Sequence, residues 1–497
     1  MASAKRAFFP GIGTLLLFAA TASPAPASVR ARGFVEGQAV AAFHAGSRRQ
    51  RPSLLLLVGM EGESRGIRAR LSLRGLFGGP AWGAEGLGFG SYDRTFQDFS
   101  PLVEVDEGFL DFDVRGFEVR LGAQKFTWGK LDVFSPADIL SPRRFTDPFL
   151  REGREAKLAQ PALFLARPLA LGTNVRAEDV EFVWVPWSVP PRFPLEDERW
   201  FPPSVRPEPL LEIPFGALAP GQPRLAVRTT LEMANRAPPR RPDRGAFGVR
   251  LRGSVEDVGW SLSLYHGPET APAFSLLPSV RLTGADPEGF LLGAQARLRP
   301  RYGRVSLVGV DLERAYDLVT LRIEAAWSRG RLWPRPAEDL LSPENLGGRL
   351  RPELASVAER LFRGETVPLD LGPLFVRRDA LQWGIGGDVG SGGTVLTLQL
   401  DQTWILHNAT PLLLTDVQTR VLASLRRDFW QERFRLEGTT VATLERPSAA
   451  VWFELLSELA PGLELRAGLL FLEGSSRSLV GQYDRNDQAF LRLRTWF

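Results

Sequence analysis

At 497 residues, with 24% charged residues, a formal net charge of +4 and a mean hydropathy of −0.09, the chain has the bulk composition of a water-facing protein. It contains no cysteine, which excludes a disulfide framework and thiolate metal sites. The small net charge and the lack of basic patches with interleaved aromatics argue against a nucleic-acid partner.

The first element reads as an export signal. Lys5 and Arg6 form a basic n-region, and Gly11 to Ala22 is an apolar run too short for a membrane anchor. Cleavage is expected after Ala22 or Ala27, so 1–27 reads as a signal peptide and 34–497 as a single domain. No later stretch has the length and apolarity of a transmembrane helix.

Period-two segments of bilayer-crossing length follow. Candidate strands lie near 34–45, 64–77, 83–91, 105–115, 117–127, 161–168, 179–186, 245–253, 259–266, 303–312, 318–328, 380–390, 393–405, 416–427, 432–443, 449–459, 462–473 and 487–497. Segments near 53–60, 224–233 and 290–299 read either as strands or as extensions above a membrane. The fold class predicted is all-β, a transmembrane antiparallel β-barrel of the outer-membrane type. It has about 18 strands, in a range of roughly 14 to 18.

Connection lengths support this reading. Short connections (Arg115-Gly116, 254–258, 313–317, Ser391-Gly392 and Pro461) alternate with long Pro- and Arg-rich ones at 128–160, 187–244, 267–302 and 329–379. That is the parity of periplasmic turns and extracellular loops. Within the last loop, Leu354, Val357, Ala358, Leu361 and Phe362 recur at helical spacing after Pro352. This predicts a short helix, either folded into the mouth or resting on its rim.

The last strand is the clearest. Leu491, Leu493, Thr495 and Phe497 share one face, and Arg492 and Arg494 the other. The first face suits lipid and the second a wet lumen. The terminal Phe497 resembles the C-terminal signal that the outer-membrane assembly machinery recognises.

Alternation also assigns the lumen. In 105–115, Leu110, Phe112 and Val114 face lipid while Asp111 and Asp113 face inward. The same rule turns inward Glu118, Arg120, Asp311, Glu313, Arg322, Glu324, Arg420, Arg426, Arg435, Glu437, Glu464, Arg466, Arg492 and Arg494. Acids concentrate early and arginines in the last third. One reading is an arginine wall facing an acidic wall, favouring anionic or zwitterionic solutes. The other is cross-strand pairing that stiffens the barrel.

The most distinctive motif is Gly122-Ala123-Gln124-Lys125-Phe126-Thr127-Trp128-Gly129-Lys130-Leu131-Asp132, continued by Ser135-Pro136-Ala137-Asp138. It begins where a strand ends and a long loop starts. Trp128 suits a membrane interface and Gly129 a sharp turn. Asp132 and Asp138 suit loop bracing, and Lys125 and Lys130 suit binding of lipopolysaccharide phosphates or substrate anions.

This stretch resembles the G-R-Q-x-x-x-W-G-x-x-D signature of a largely uncharacterised family of bacterial outer-membrane β-barrels. Further matches run from Phe247 to Gly253, from Gly309 to Trp327, from Gln382 to Asp388 and from Gly481 to the terminus. Ala123 replaces the signature's usual arginine. The resemblance implies a porin-like barrel, some members of which work beside inner-membrane exporters of hydrophobic molecules.

The function expected is a porin-like outer-membrane channel for small solutes, needing no cofactor. The alternative is a barrel component of a lipid or hydrophobic-solute transport system; an adhesive barrel or a hydrolase fits less well. His44, His266 and His407 form no nucleophile or metal-ligand pattern. Expected partners are outer-membrane lipids and lipopolysaccharide, the assembly machinery, and periplasmic or inner-membrane transport proteins, with no nucleic acid.

Overall fold

The computed structural model describes residues 28–44, 53–78, 88–89, 102–149, 151, 153–169, 176–196, 198–203, 210–213, 224–234, 236–286, 289–336, 354–368 and 373–497. The expected signal peptide, 1–27, lies outside them.

Among the described residues, eighteen long strands close on themselves. They are β1 Ser28–Ala42, β2 Ser53–Ser64, β3 Ile67–Gly78, β4 Leu102–Val114, β5 Phe117–Gln124 and β6 Gln160–Pro168. Next come β7 Arg176–Val185, β8 Ala246–Val255, β9 Val258–Pro268, β10 Arg304–Ala315, β11 Val319–Pro334 and β12 Phe375–Ser391. The last six are β13 Thr394–Ile405, β14 Val417–Phe429, β15 Phe434–Thr443, β16 Ser448–Ala460, β17 Leu463–Gly474 and β18 Gln488–Trp496. Each is antiparallel to its chain neighbours, and β1 pairs with β18 from Phe34↔Trp496 to Ala42↔Gln488. Closure removes every sheet edge, the condition for β-structure in lipid. No described helix is long and apolar enough to cross a membrane.

The outer face is apolar because alternate residues were selected for it. Leu121, Leu398, Leu425, Phe453, Leu491 and Leu493 are all exposed on the outside. On β18 the intervening Arg492 and Arg494 are buried. Phe497 continues the seam beyond β18: its N–H donates to the Gly33 carbonyl (3.0 Å), and Gly33 N–H donates to its carbonyl (2.9 Å).

The expected strand count holds, but two members differ. Only Gly88–Phe89 of the predicted 83–91 strand is described, as a short parallel bridge to Leu102 and Val103. The place in the barrel belongs to β2. Its run Leu54-Leu55-Leu56-Leu57-Val58 is apolar on both faces, which hides the two-residue period.

Tight turns lie at the end shared with the C-terminus, and long loops at the other. These loops do not simply ring a mouth. The segment 125–159, between β5 and β6, folds into the lumen, and 186–203 follows it. The remainder builds a satellite sheet of five strands, Leu210–Ile213, Arg224–Met233, Ala273–Asp286, Gly289–Arg301 and Val367–Pro368. The segments 224–233 and 290–299 are therefore strands outside the barrel. The helix α1, Leu354–Phe362, packs against this sheet at Ala273–Asp286.

Candidate functional site

The inserted loop begins at the distinctive motif. Gln124 ends β5, where its side-chain amide donates to the Ala162 carbonyl (3.1 Å). Lys125 turns inward and is buried, donating to Asp106 of β4 (2.7 Å) and to the Arg154 carbonyl (3.2 Å). Burial lowers its pKa, opposed by the Asp106 charge. Trp128 is 2% exposed inside the barrel, not at the membrane interface. Its ring lies beneath the Arg250 guanidinium (5.4 Å to the centroid) and against Gly248, where a Cβ would come within 2.6 Å of it. The expected anchoring role thus fails, because the segment enters the lumen.

Gly129 has φ +84°, and a Cβ there would lie 2.6 Å from a Glu324 carboxylate oxygen. The sharp turn is therefore obligatory for glycine on two counts. It lets the chain wrap Glu324, a fully buried carboxylate on β11. Glu324 accepts from Ala137 N (2.7 Å), Ser135 Oγ (2.8 Å), Lys130 N (3.1 Å) and Leu131 N (3.3 Å). Four donors converging on one carboxylate fix the loop tip to the wall.

The rest of the loop is braced around the circumference. Asp132 N donates to Gln399 Oε1 on β13 (3.0 Å), and its carboxylate lies 3.5 Å from Arg322. Burial raises the Asp132 pKa, opposed by Arg322. Asp138 takes Lys157 (2.7 Å) and Arg143 (3.1 Å). On the β1 and β4 side, Arg151 pairs with Glu36 (2.8 Å), Arg154 with Glu107 (2.5 Å) and Arg144 with Glu104. Phe134 lies under Arg420 of β14, 4.0 Å from ring centroid to guanidinium. Asp132 and Asp138 thus tie the loop to the wall and to itself. Lys125 and Lys130 lie in the lumen rather than on the lipopolysaccharide-facing rim, and Lys130 sits 3.5 Å from Glu313 and 3.8 Å from Asp311.

Two apolar clusters hold the insert. Phe126, Trp128, Ile139 and Leu140 pack on Phe164, Val183, Val305 and Leu307 of the inner wall. Val133, Phe134, Phe149 and Trp200 pack on Leu422, Val441, Trp452, Leu470 and Leu472. These wall residues sit in the outer halves of their strands, on the inward face.

Below the insert, the inward charges are largely paired. Asp111 lies 3.3 Å from Arg120, which also meets Glu118. Asp311 accepts from Ser261, and Glu313 lies 3.0 Å from Arg322, which also meets Asp388 (2.7 Å). Arg420 meets Asp401, while Arg435 and Arg426 meet Asp428 at 2.7 and 3.7 Å. Glu437 stands opposite Arg426 on one side and Glu454 on the other. Arg466 meets Glu464 (2.5 Å), Arg492 meets Glu454 (2.8 Å), and Arg494 meets Glu36 (2.6 Å) and Glu155 (3.1 Å). Asp113 is exposed near the lower rim, opposite Glu118. An arginine wall facing an acidic wall is therefore not what forms. Most of these arginines have an acid on the next strand or on the insert, whereas Arg426 meets Asp428 of its own strand and stands opposite Glu437.

A cavity of about 280 Å³ remains beside β4 to β8. It is lined by Glu107, Glu118, Asp179 and Glu181, by Arg120, Lys125, Arg154, Arg250 and Arg252, and by Phe109, Phe126, Phe164 and Trp128. Sequence reasoning missed Glu36, Glu104, Glu107, Arg144, Arg151 and Arg154, which tie the insert to the wall. Glu36 and Glu104 interrupt otherwise apolar strand stretches, and that is the signal which finds them.

A closed antiparallel barrel with a lipid-compatible exterior and a charged, loop-filled interior defines an outer-membrane β-barrel. No protein-family model and no curated protein matches the chain. Among solved structures it is similar to Acinetobacter baumannii OccAB4 (9% identity, TM-score 0.49, covering 96% of this chain and 99% of that one). It is also similar to the outer-membrane protein OpdK of Pseudomonas aeruginosa (9%, TM-score 0.47, 95% and 99%). A third is the anion-selective porin of Comamonas acidovorans (11%, TM-score 0.38, 95% and 100%).

Proposed function

We propose that this barrel is a porin-like channel for small polar solutes, narrowed by the inserted loop 125–159. The observation that carries the reading is the loop itself. It is fixed to Glu324 by four donors and to β1 and β4 by ion pairs, so what passes must travel beside it. The cavity next to the loop shows what such a path offers. It presents five bases, four acids and four aromatic rings in a space of about 280 Å³. Fixed charges of both signs in a narrow passage suit small polar or zwitterionic solutes and give little net ion preference. Passage through fixed charge and shape calls for no reacting group, so the reading is of a non-enzymatic channel.

The test is liposome swelling with the refolded protein and neutral, anionic, cationic and zwitterionic solutes of graded size. Swelling with solutes up to roughly the size of the cavity, and little dependence on charge sign, is expected. Permeability to large oligosaccharides, or none to any solute from a demonstrably folded barrel, contradicts the reading.

A further inference from the structure

The lipid-facing wall changes character abruptly on one arc. On β9, β10 and β11 the outward residues stand in register, row by row. Leu262 is opposite Val310, and Leu264 is opposite Val308, which is in turn opposite Trp327. All five are exposed and apolar. The next row, about 7 Å further from the periplasmic end, is His266, Ser306 and Arg329. His266 and Arg329 are exposed and Ser306 is half-buried. Directly opposed residues share a face, with Cβ atoms about 5 Å apart, so these three form one polar patch. His266 Nδ1 and Ser306 Oγ lie 2.8 Å apart.

Arg304 stands one row higher on the same face of β10. Its guanidinium donates to the carbonyls of Arg244 (3.0 Å) and Gly245 (3.5 Å). Gly330, next to Arg329 in the chain, has φ +84° and lies where β11 shifts register. A Cβ there would come within 3.2 Å of the Arg304 carbonyl oxygen, so the backbones carrying Arg304 and Arg329 adjoin. Among the described residues no carboxylate pairs with either arginine. Asp379 of β12 reaches this point, and its carboxylate accepts from the Gly330 N–H (2.9 Å).

The height of the patch says what meets it. A cation at the edge of an apolar belt lies at the headgroup level of a bilayer, and Trp327 in the last apolar row suits that boundary. This is the end of the barrel that carries the long loops, so the leaflet is the outer one. The two guanidiniums stand on successive rows, about 7 Å apart in height. That spread suits a headgroup with phosphates at more than one level better than the single phosphate of a phospholipid.

We propose that Arg304 and Arg329, with Ser306 and His266, form a lipid-facing site for the phosphate groups of a phosphorylated outer-leaflet glycolipid, whose acyl chains lie on Leu264, Val308 and Trp327. Guanidiniums suit this target because their planar donors match phosphate oxygens in pairs. The site lies outside the lumen and does not depend on whether the barrel conducts.

The test uses the intact barrel in detergent and native mass spectrometry. The probes are bisphosphorylated lipid A, the same lipid enzymatically dephosphorylated, and phosphatidylglycerol. Arg329→Gln is the informative variant, because among the described residues Arg329 has no side-chain hydrogen bond or ion pair for the fold to lose. Wild-type protein is expected to bind the bisphosphorylated lipid about tenfold more tightly than the dephosphorylated form. Arg329→Gln should weaken binding of the bisphosphorylated lipid about fivefold, and adding Arg304→Gln should bring the loss to roughly tenfold or more. The comparison of the two lipids needs no mutation and stands if a variant misfolds. Equal binding of those two lipids by wild-type protein overturns the proposal. So does unchanged affinity in a folded Arg329→Gln protein. Phosphatidylglycerol binding as tightly as bisphosphorylated lipid A would reassign the site to a phospholipid and overturn the glycolipid assignment.

Discussion

The periplasmic and outer halves of the lumen wall are made by the same strands and carry opposite chemistry. On β17 the inward residues are Glu464 and Arg466 below and Leu470 and Leu472 above. On β10 they are Asp311 and Glu313 below and Val305 and Leu307 above. The lower half is wet and solves its charge problem by pairing neighbours. The upper half is apolar because the inserted loop covers it, so there the strands are buried on one face by lipid and on the other by protein. On β1, β3 and β4 the rule changes. There Glu36, Arg74 and Glu104 sit inward: Glu36 and Glu104 pair with Arg151 and Arg144 of the insert, while Arg74 pairs with Asp106 of β4 and donates to the Glu155 carbonyl of the insert (3.4 Å). The insert thus leans on grease along most of the wall and on charge along one arc.

The largest effect on this contrast is expected at Glu324. Glu324→Leu leaves four donors unanswered, at about 1–3 kcal/mol each where water cannot reach them. The loop tip should detach, raising single-channel conductance severalfold with flickering that the wild type lacks. Gly129→Val should act alike, because its side chain would collide with the same carboxylate.

Next is the greasy side. Trp200→Ala removes a side chain that is 2% exposed, with an expected loss of about 3–5 kcal/mol for a buried aromatic. Limited proteolysis should then cut within 186–203 while the barrel stays heat-modifiable on a gel.

The charged arc gives a comparable but distinct effect. Glu36 serves both Arg151 of the insert and Arg494 of β18. Glu36→Leu takes one carboxylate from two buried guanidiniums that keep Glu155, so the loss should fall below the roughly 3–5 kcal/mol of a fully broken buried pair. Because it sits in the β1–β18 seam, the barrel's melting temperature should fall as well as the loop's protection from proteolysis.

A smaller, pH-dependent effect is expected at the outer rim. Glu269 is pushed up to about 7 by burial, against the pull of Arg331 and the Leu332 N–H (3.0 Å). A raised folded-state pKa means the folded protein holds this proton more tightly than the unfolded chain does. Its contribution is therefore complete below the ordinary carboxylate value. It is lost as pH rises toward 7, by up to about 3 kcal/mol. Glu269→Gln should flatten that part of the stability profile between about pH 4.5 and 7. The smallest effect is expected at Asp113, exposed at the lower rim, where Asp113→Asn should change stability by less than about 0.5 kcal/mol.

The same contrast explains what the sequence makes legible. The lower wall alternates charge and grease, so Arg492, Arg494, Arg322 and Glu324 were assignable to the lumen from period alone. The upper wall does not alternate. In Leu469-Leu470-Phe471-Leu472 the inward and outward residues are equally apolar. The same masking leaves 53–60, within β2, readable either as a strand or as an extension above the membrane. Connection parity predicted which loops are long, yet not where they go. Loop entry depends on contacts such as Trp128 with Gly248, more than a hundred residues apart in the chain. The inward position of Glu324 was readable, whereas its role as the loop's anchor was not.

The central claim is that the anchored 125–159 loop narrows a conducting lumen. The most direct test is single-channel conductance of wild type and Glu324→Leu in planar bilayers, with ion preference read from a salt gradient. The account predicts a small, steady wild-type conductance with a permeability ratio within about fivefold of unity, the reach of roughly 1 kcal/mol. It predicts a larger, flickering conductance for the variant. Equal conductance in the two proteins, both shown to be folded, would contradict it.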